Sequence, residues 1–137
     1  FFFGCLSAAI MPEAGEIVMG ATAVSLSIYA LQMFSNFPNV KQQYTKEGTG
    51  GLVWAKSARR WFGVGLLNSS IYAATYFFIK DLEAKKALLK ANAAAFGTGL
   101  LHMLYSCLRA EGMKLDITTI GLQLGLLLGS LYAVKND

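Results

Sequence analysis

Charge is what this sequence has least of. Only 15% of its 137 residues are Asp, Glu, Lys or Arg, against about 25% in a typical soluble domain. Histidine, cysteine and proline are also scarce, at one, two and two residues. One histidine cannot build a multi-histidine metal site. Cys5 and Cys107 lie far apart and show no metal-ligand spacing. Two cysteines are too few for a disulfide scaffold, so both read as free thiols, Cys107 as a small apolar packing residue. The shortage of proline and of charge excludes a collagen-like or disordered chain.

Catalytic patterns are missing as well. Gly63-Val64-Gly65 lacks the third glycine and the preceding strand of a phosphate-binding loop. No nucleophile elbow occurs. The long apolar runs hold no Asp, Glu, Lys or Arg, the groups on which ion pumps and proton-coupled transporters rely. A pI of about 9.1 does not point to nucleic acid, because the basic residues flank apolar runs. These absences favour a non-catalytic protein.

What is present is apolar sequence. Hydrophobic residues make up 55% of the chain, and its mean hydropathy is +0.46. Four runs are free of Asp, Glu, Lys and Arg: 17–34, 61–79, 91–108 and 117–134, each 18 or 19 residues long. Eighteen helical residues span about 27 Å, close to the hydrocarbon core of a bilayer. Ala, Leu, Met and Gly outweigh β-branched residues, which favours helix over strand. In lipid the backbone must satisfy its own hydrogen bonds. The sequence therefore predicts an all-α polytopic membrane protein, a single domain with four transmembrane helices.

The punctuation agrees. Pro12 precedes the first helix, with Glu13 and Glu16 at its positive end. Asn36-Phe37-Pro38-Asn39 ends it. Asp81 is placed to cap a third helix running from Leu82 to Leu108, supported by the Asp81/Lys85 pair and ended by Glu111-Gly112. Asp116 is placed to cap the fourth. Lys46 to Gly51 reads as a turn. Leu52 to Arg60, with Trp54, Lys56, Arg59, Arg60 and then Trp61, suggests a short interfacial helix before the second span. Phe1 to Ala9 resembles the apolar half of a targeting segment. Counting Lys and Arg across four spans gives seven on the side of the long loop and five on the side of the termini. This leans the loop toward the cytoplasmic, matrix or stromal side.

Each run also carries polar residues at helical spacing. They are Thr22, Ser25, Tyr29, Gln32 and Asn36; Asn68, Tyr72 and Tyr76; Thr98, His102, Tyr105, Ser106 and Arg109; and Thr119, Gln123 and Ser130. Polar groups facing lipid lack partners, so these stripes are expected to face protein, a cavity or a ligand. Gly121, Gly125 and Gly129 recur at four-residue steps, and Gly97 and Gly99 give the third run a similar small face. Such faces allow close helix approach, within the chain or with another subunit.

His102 stands out among these residues. A neutral imidazole in lipid needs a use for its donor nitrogen. One use is a hydrogen bond to Gln123, Asn68 or a tyrosine. The other is axial ligation of a tetrapyrrole metal such as the magnesium of chlorophyll, with Gln123 and Asn68 as lesser cofactor-binding candidates. The expectation is an accessory subunit of a photosynthetic complex, a photosystem or light-harvesting assembly in the plastid thylakoid membrane. It would pack against other membrane subunits and bind chlorophyll, carotenoid or lipid, but no nucleic acid and no catalytic metal. The alternatives are a small subunit of a respiratory or ATP-synthase complex of the mitochondrial inner membrane, a lipid or sterol enzyme or its scaffold, and a small-solute carrier.

Overall fold

The computed structural model describes residues 12–35, 53–109 and 116–137, without the side chains at 53–58 and 61. All ordered elements among them are helical: α1 (Ala14–Phe34), α2 (Val53–Thr75), a 3-10 turn (Tyr76–Phe78), α3 (Leu82–Leu108) and α4 (Ile117–Asn136). The targeting-like segment Phe1 to Ala9, the turn at Lys46 to Gly51 and the helix stop at Glu111-Gly112 lie outside the described residues.

Local chemistry accounts for the helix starts. Asp81 accepts from the Ala84 N–H at 2.8 Å. Asp116 accepts from both the N–H (3.0 Å) and the hydroxyl of Thr119. Each caps its helix from the predicted position. Glu13 precedes α1 but makes no side-chain cap. That role passes to Asp137, whose carboxylate accepts from the Gly15 N–H at 2.6 Å across 122 residues of sequence. A negative charge thus lies at the positive end of the α1 dipole.

Two sequence expectations are refined. Leu52 lies outside the described residues, and the short helix expected to lead into the second span is, from Val53 onward, continuous with α2, which runs unbroken to Thr75. Arg59, Arg60 and Trp61 lie on that continuous helix, with no proline to break it. The second helical stretch also stops short of Ile79. Its last residues tighten into the 3-10 turn, because only Ile79 and Lys80 separate that turn from the Asp81 cap.

Successive helices run antiparallel. Gly63 in the first half of α2 sits against Met33 and Phe34 at the end of α1. Val18 faces Gly129, while Tyr29 faces Thr119. Gly97 faces Leu127, and Gly99 faces Gln123. α1 packs between α2 and α4, and α4 packs between α1 and α3. Met19, Ala73, Tyr76, Leu89 and Ala133 form a buried apolar cluster drawn from every helix and the 3-10 turn. It lies at the end where α1 begins and α4 finishes.

The rest of the interior mixes Met33, Met103 and Leu126 with small and polar residues. Thr22, Ser70, Ser106, Thr119 and Ser130 are buried. Ile17, Val24, Ile28 and Leu31 on α1 are exposed, as are Phe62, Leu67 and Ile71 on α2. So are Leu101, Leu104 and Leu108 on α3, and Leu124, Leu128 and Leu131 on α4. α1 and α4 are each long and apolar enough to cross a membrane.

Candidate functional site

Several interior polar groups are paired across helices. At their centre is Asn92 on α3. Its amide donates to the Thr22 hydroxyl of α1 at 3.1 Å and to the Ser130 hydroxyl of α4 at 3.0 Å. Thr22 in turn donates to the Val18 carbonyl (2.9 Å) and Ser130 to the Leu126 carbonyl (2.7 Å). Both amide protons and both hydroxyl protons are therefore used. Three helices are locked in one register at a point where Thr22 and Ser130 are 1% and 0% exposed.

A second pair joins α1 to α2. Ser27 and Ser70 hydroxyls lie 2.7 Å apart, and Ser70 also reaches the Ala23 carbonyl at 2.7 Å. A hydroxyl has one proton, so Ser70 donates to Ala23 and accepts from Ser27. A looser contact, Tyr29 to Thr119 at 3.5 Å, joins α1 to α4 near the Asp116 cap.

Asn92 was not among the residues singled out by spacing. The positions three and four away are Leu88, Leu89, Ala95 and Phe96, so a search for polar stripes passes over it. Its signal was isolation: an amide alone in an alanine-rich stretch needs a partner from elsewhere. Ser27 and Ser70 escaped for the same reason.

The expected ligand residues scatter. His102 is exposed on α3 and makes no hydrogen bond among the described residues. Asn68 is exposed on α2. Gln123 turns inward toward Gly99, and its side-chain oxygen is buried without a hydrogen-bond partner. The three do not converge. Of the α3 stripe, Thr98, His102, Tyr105 and Arg109 point outward and Ser106 alone is buried.

The glycines divide in the same way. A methyl group at Gly129 would come within 2.8 Å of Val18, so α1 and α4 approach closely there. At Gly99 it would meet the Gln123 oxygen at 3.0 Å, and at Gly97 the side chain of Leu127 at 3.9 Å. At Gly121 and Gly125 it would meet nothing within 4 Å. Four-residue spacing put Gly121, Gly125 and Gly129 on one face. The fold uses Gly129 inside the bundle and leaves the other two on the surface.

The described residues include no group of three or more His, Cys, Asp or Glu side chains able to hold a metal ion. No protein-family model, characterised protein or solved structure matches the chain.

Proposed function

We propose that all four helices lie in a lipid bilayer and that the chain is a non-catalytic subunit of a larger membrane assembly. The observation that carries this reading is the apolar exterior of all four helices, set over an interior that mixes Met, Leu and Ala with buried hydroxyls. Serine, threonine and asparagine hold the helices together inside, and Leu, Ile, Val and Phe cover the outside of every helix. A monomer in water rarely exposes apolar surface on such a scale. Acyl chains solvate that surface, and small and hydroxyl residues are what membrane helices use to pack. The non-catalytic assignment is supported by how the buried hydroxyls of Thr22, Ser70 and Ser130 are used: they bond other helix groups, not a substrate site.

His102 supports the finer reading. An imidazole on an apolar surface, with no hydrogen-bond partner among the described residues, is matched by a ligand or subunit outside the chain. Axial ligation of a chlorophyll in a thylakoid complex is the candidate we favour, with carotenoid or lipid against the outer faces. Gly121 and Gly125 offer a flat surface to a neighbouring helix.

Two measurements test this. Membranes containing the protein are washed at alkaline pH and floated; retention in the lipid layer is expected, and release into the wash would overturn the membrane assignment. The complex is then isolated in mild detergent and its visible spectrum recorded. Chlorophyll bands that co-migrate with the protein, one of them lost in His102→Leu, are expected. A colourless complex would shift the assignment to a respiratory or ATP-synthase subunit, where His102 meets a protein group.

A further inference from the structure

The chain has three arginines, Arg59, Arg60 and Arg109, and the fold gathers them at one end. Arg59 and Arg60 lie on the first turns of α2, beside the end of α1. Arg109 caps α3, beside the start of α4. The only acidic side chain described there is Asp116, which is engaged in capping α4 through Thr119. Among the described residues this end carries three positive charges and one negative, a balance of +2. The opposite end carries Lys80, Lys85, Lys86, Lys90 and Lys135 against Glu13, Glu16, Asp81, Glu83 and Asp137, five of each, a balance of zero.

Just inside the arginines is an apolar collar to which each helix contributes one side chain. Phe34 of α1 is 40% exposed, Phe62 of α2 59%, Leu108 of α3 86% and Ile117 of α4 82%. Arg60 is exposed. Arg109 is held in place by its own helix: its Nε donates to the Tyr105 hydroxyl at 3.1 Å, and its guanidinium lies 5.5 Å from the centre of the Tyr105 ring.

We propose that this end binds the headgroups of anionic phospholipids, with Arg60 and Arg109 as the phosphate contacts and the collar against the upper acyl chains. The proposal rests on the membrane reading above. Guanidinium matches phosphate in a bidentate fork, which ammonium does not. The gathering of all three arginines at one end therefore selects which end grips phosphate. The neutral end has no net attraction for an anionic headgroup.

The test uses the full chain in nanodiscs of phosphatidylcholine with 30% phosphatidylglycerol, with co-purifying lipid counted by native mass spectrometry after release into detergent. Each basic residue near an anionic surface contributes about 1 kcal/mol, so Arg60→Gln and Arg109→Gln are each expected to lower the retained ratio of phosphatidylglycerol to phosphatidylcholine about fivefold. Lys135→Gln, at the neutral end, is expected to leave it unchanged. Protein that inserts into pure phosphatidylcholine but shows no preference for phosphatidylglycerol overturns the headgroup proposal alone. Protein that fails to float with neutral vesicles overturns the membrane reading beneath it. Displacement of the retained lipid by millimolar inorganic phosphate would make this a free-phosphate site and overturn the lipid assignment.

Discussion

α1 and α4 differ from α2 and α3 in composition but not in exterior. The first pair is long and apolar enough on average to cross a membrane. The second pair is diluted by Asn68, Ser69 and Ser70 in α2 and by Asn92, Thr98 and His102 in α3. Yet all four carry exposed Leu, Ile, Val or Phe. The reason is where the polar groups go. Ser70 and Asn92 are spent on neighbouring helices. The outward hydroxyls of Ser69 and Thr98 bond the carbonyls of Gly65 and Ala94 in their own helices, at 3.0 and 2.8 Å. Such groups lower an average over the helix without offering a bare donor to the surroundings. A helix average therefore understates how apolar the outer face of α2 or α3 is.

The largest effect that would disturb this contrast is expected where α1 meets α4 and the 3-10 turn. A side chain at Gly15 would collide with the hydroxyl of the buried Tyr76 and come within 2.8 Å of the Asp137 carboxylate. Gly15→Ala is expected to cost about 2–3 kcal/mol through overpacking, read from SDS-titrated unfolding in mixed micelles. No loss would mean that the four helix ends are not clasped there.

Asn92→Leu comes next. It removes two interhelical bonds at once, and such bonds average about 0.6 kcal/mol each in membranes. A loss of about 1 kcal/mol is expected, against almost none for the outward Asn68→Leu. Equal effects at the two sites would erase the distinction between inward and outward amides.

The glycines of α4 sharpen the comparison further. Gly129→Ala presses on Val18 and is expected to destabilise by about 1 kcal/mol. Gly125→Ala meets empty space and is expected to stabilise the isolated chain by up to about 1 kcal/mol, since alanine is the better helix former. If a partner helix packs on that face, the same Gly125→Ala variant lowers co-purification of the assembly. The smallest effect on the chain itself is expected for His102→Leu, within about 0.5 kcal/mol, measured by the same unfolding assay.

Much of the fold was readable from local chemistry. Asp81 and Asp116 announced their helices because an N-cap depends on residues three apart in sequence. The apolar runs marked the helices because length and composition are local too. The end of α2 was not readable, since its switch to a 3-10 turn answers to the cap that follows. The candidate site was less legible. Spacing identifies residues that share a face but not which face turns inward. Thr98, His102 and Tyr105 shared a stripe, and the fold turned it outward. Asn92, on a different face, became the hub. The roles of Gly121 and Gly129 could not be separated by spacing, because Val18, which distinguishes them, lies more than 100 residues away in sequence.

The bond from Asp137 to Gly15 has a consequence for how the protein is made. A ribosome adds about 5–20 residues per second, so the α1 backbone waits about 6–24 s for a partner 122 residues downstream. Over much of that interval α1 has α2 beside it through the Ser27–Ser70 pair and later Asn92 of α3 against Thr22, while the flank with Val18 and Tyr29 still lacks Gly129 and Thr119 of α4. A nascent chain halted before Ile117 would carry that unfinished flank. Quality-control proteases are expected to clear such a product faster than the complete bundle, and a pulse-chase comparison of chains ending at 110 and 137 would measure the difference.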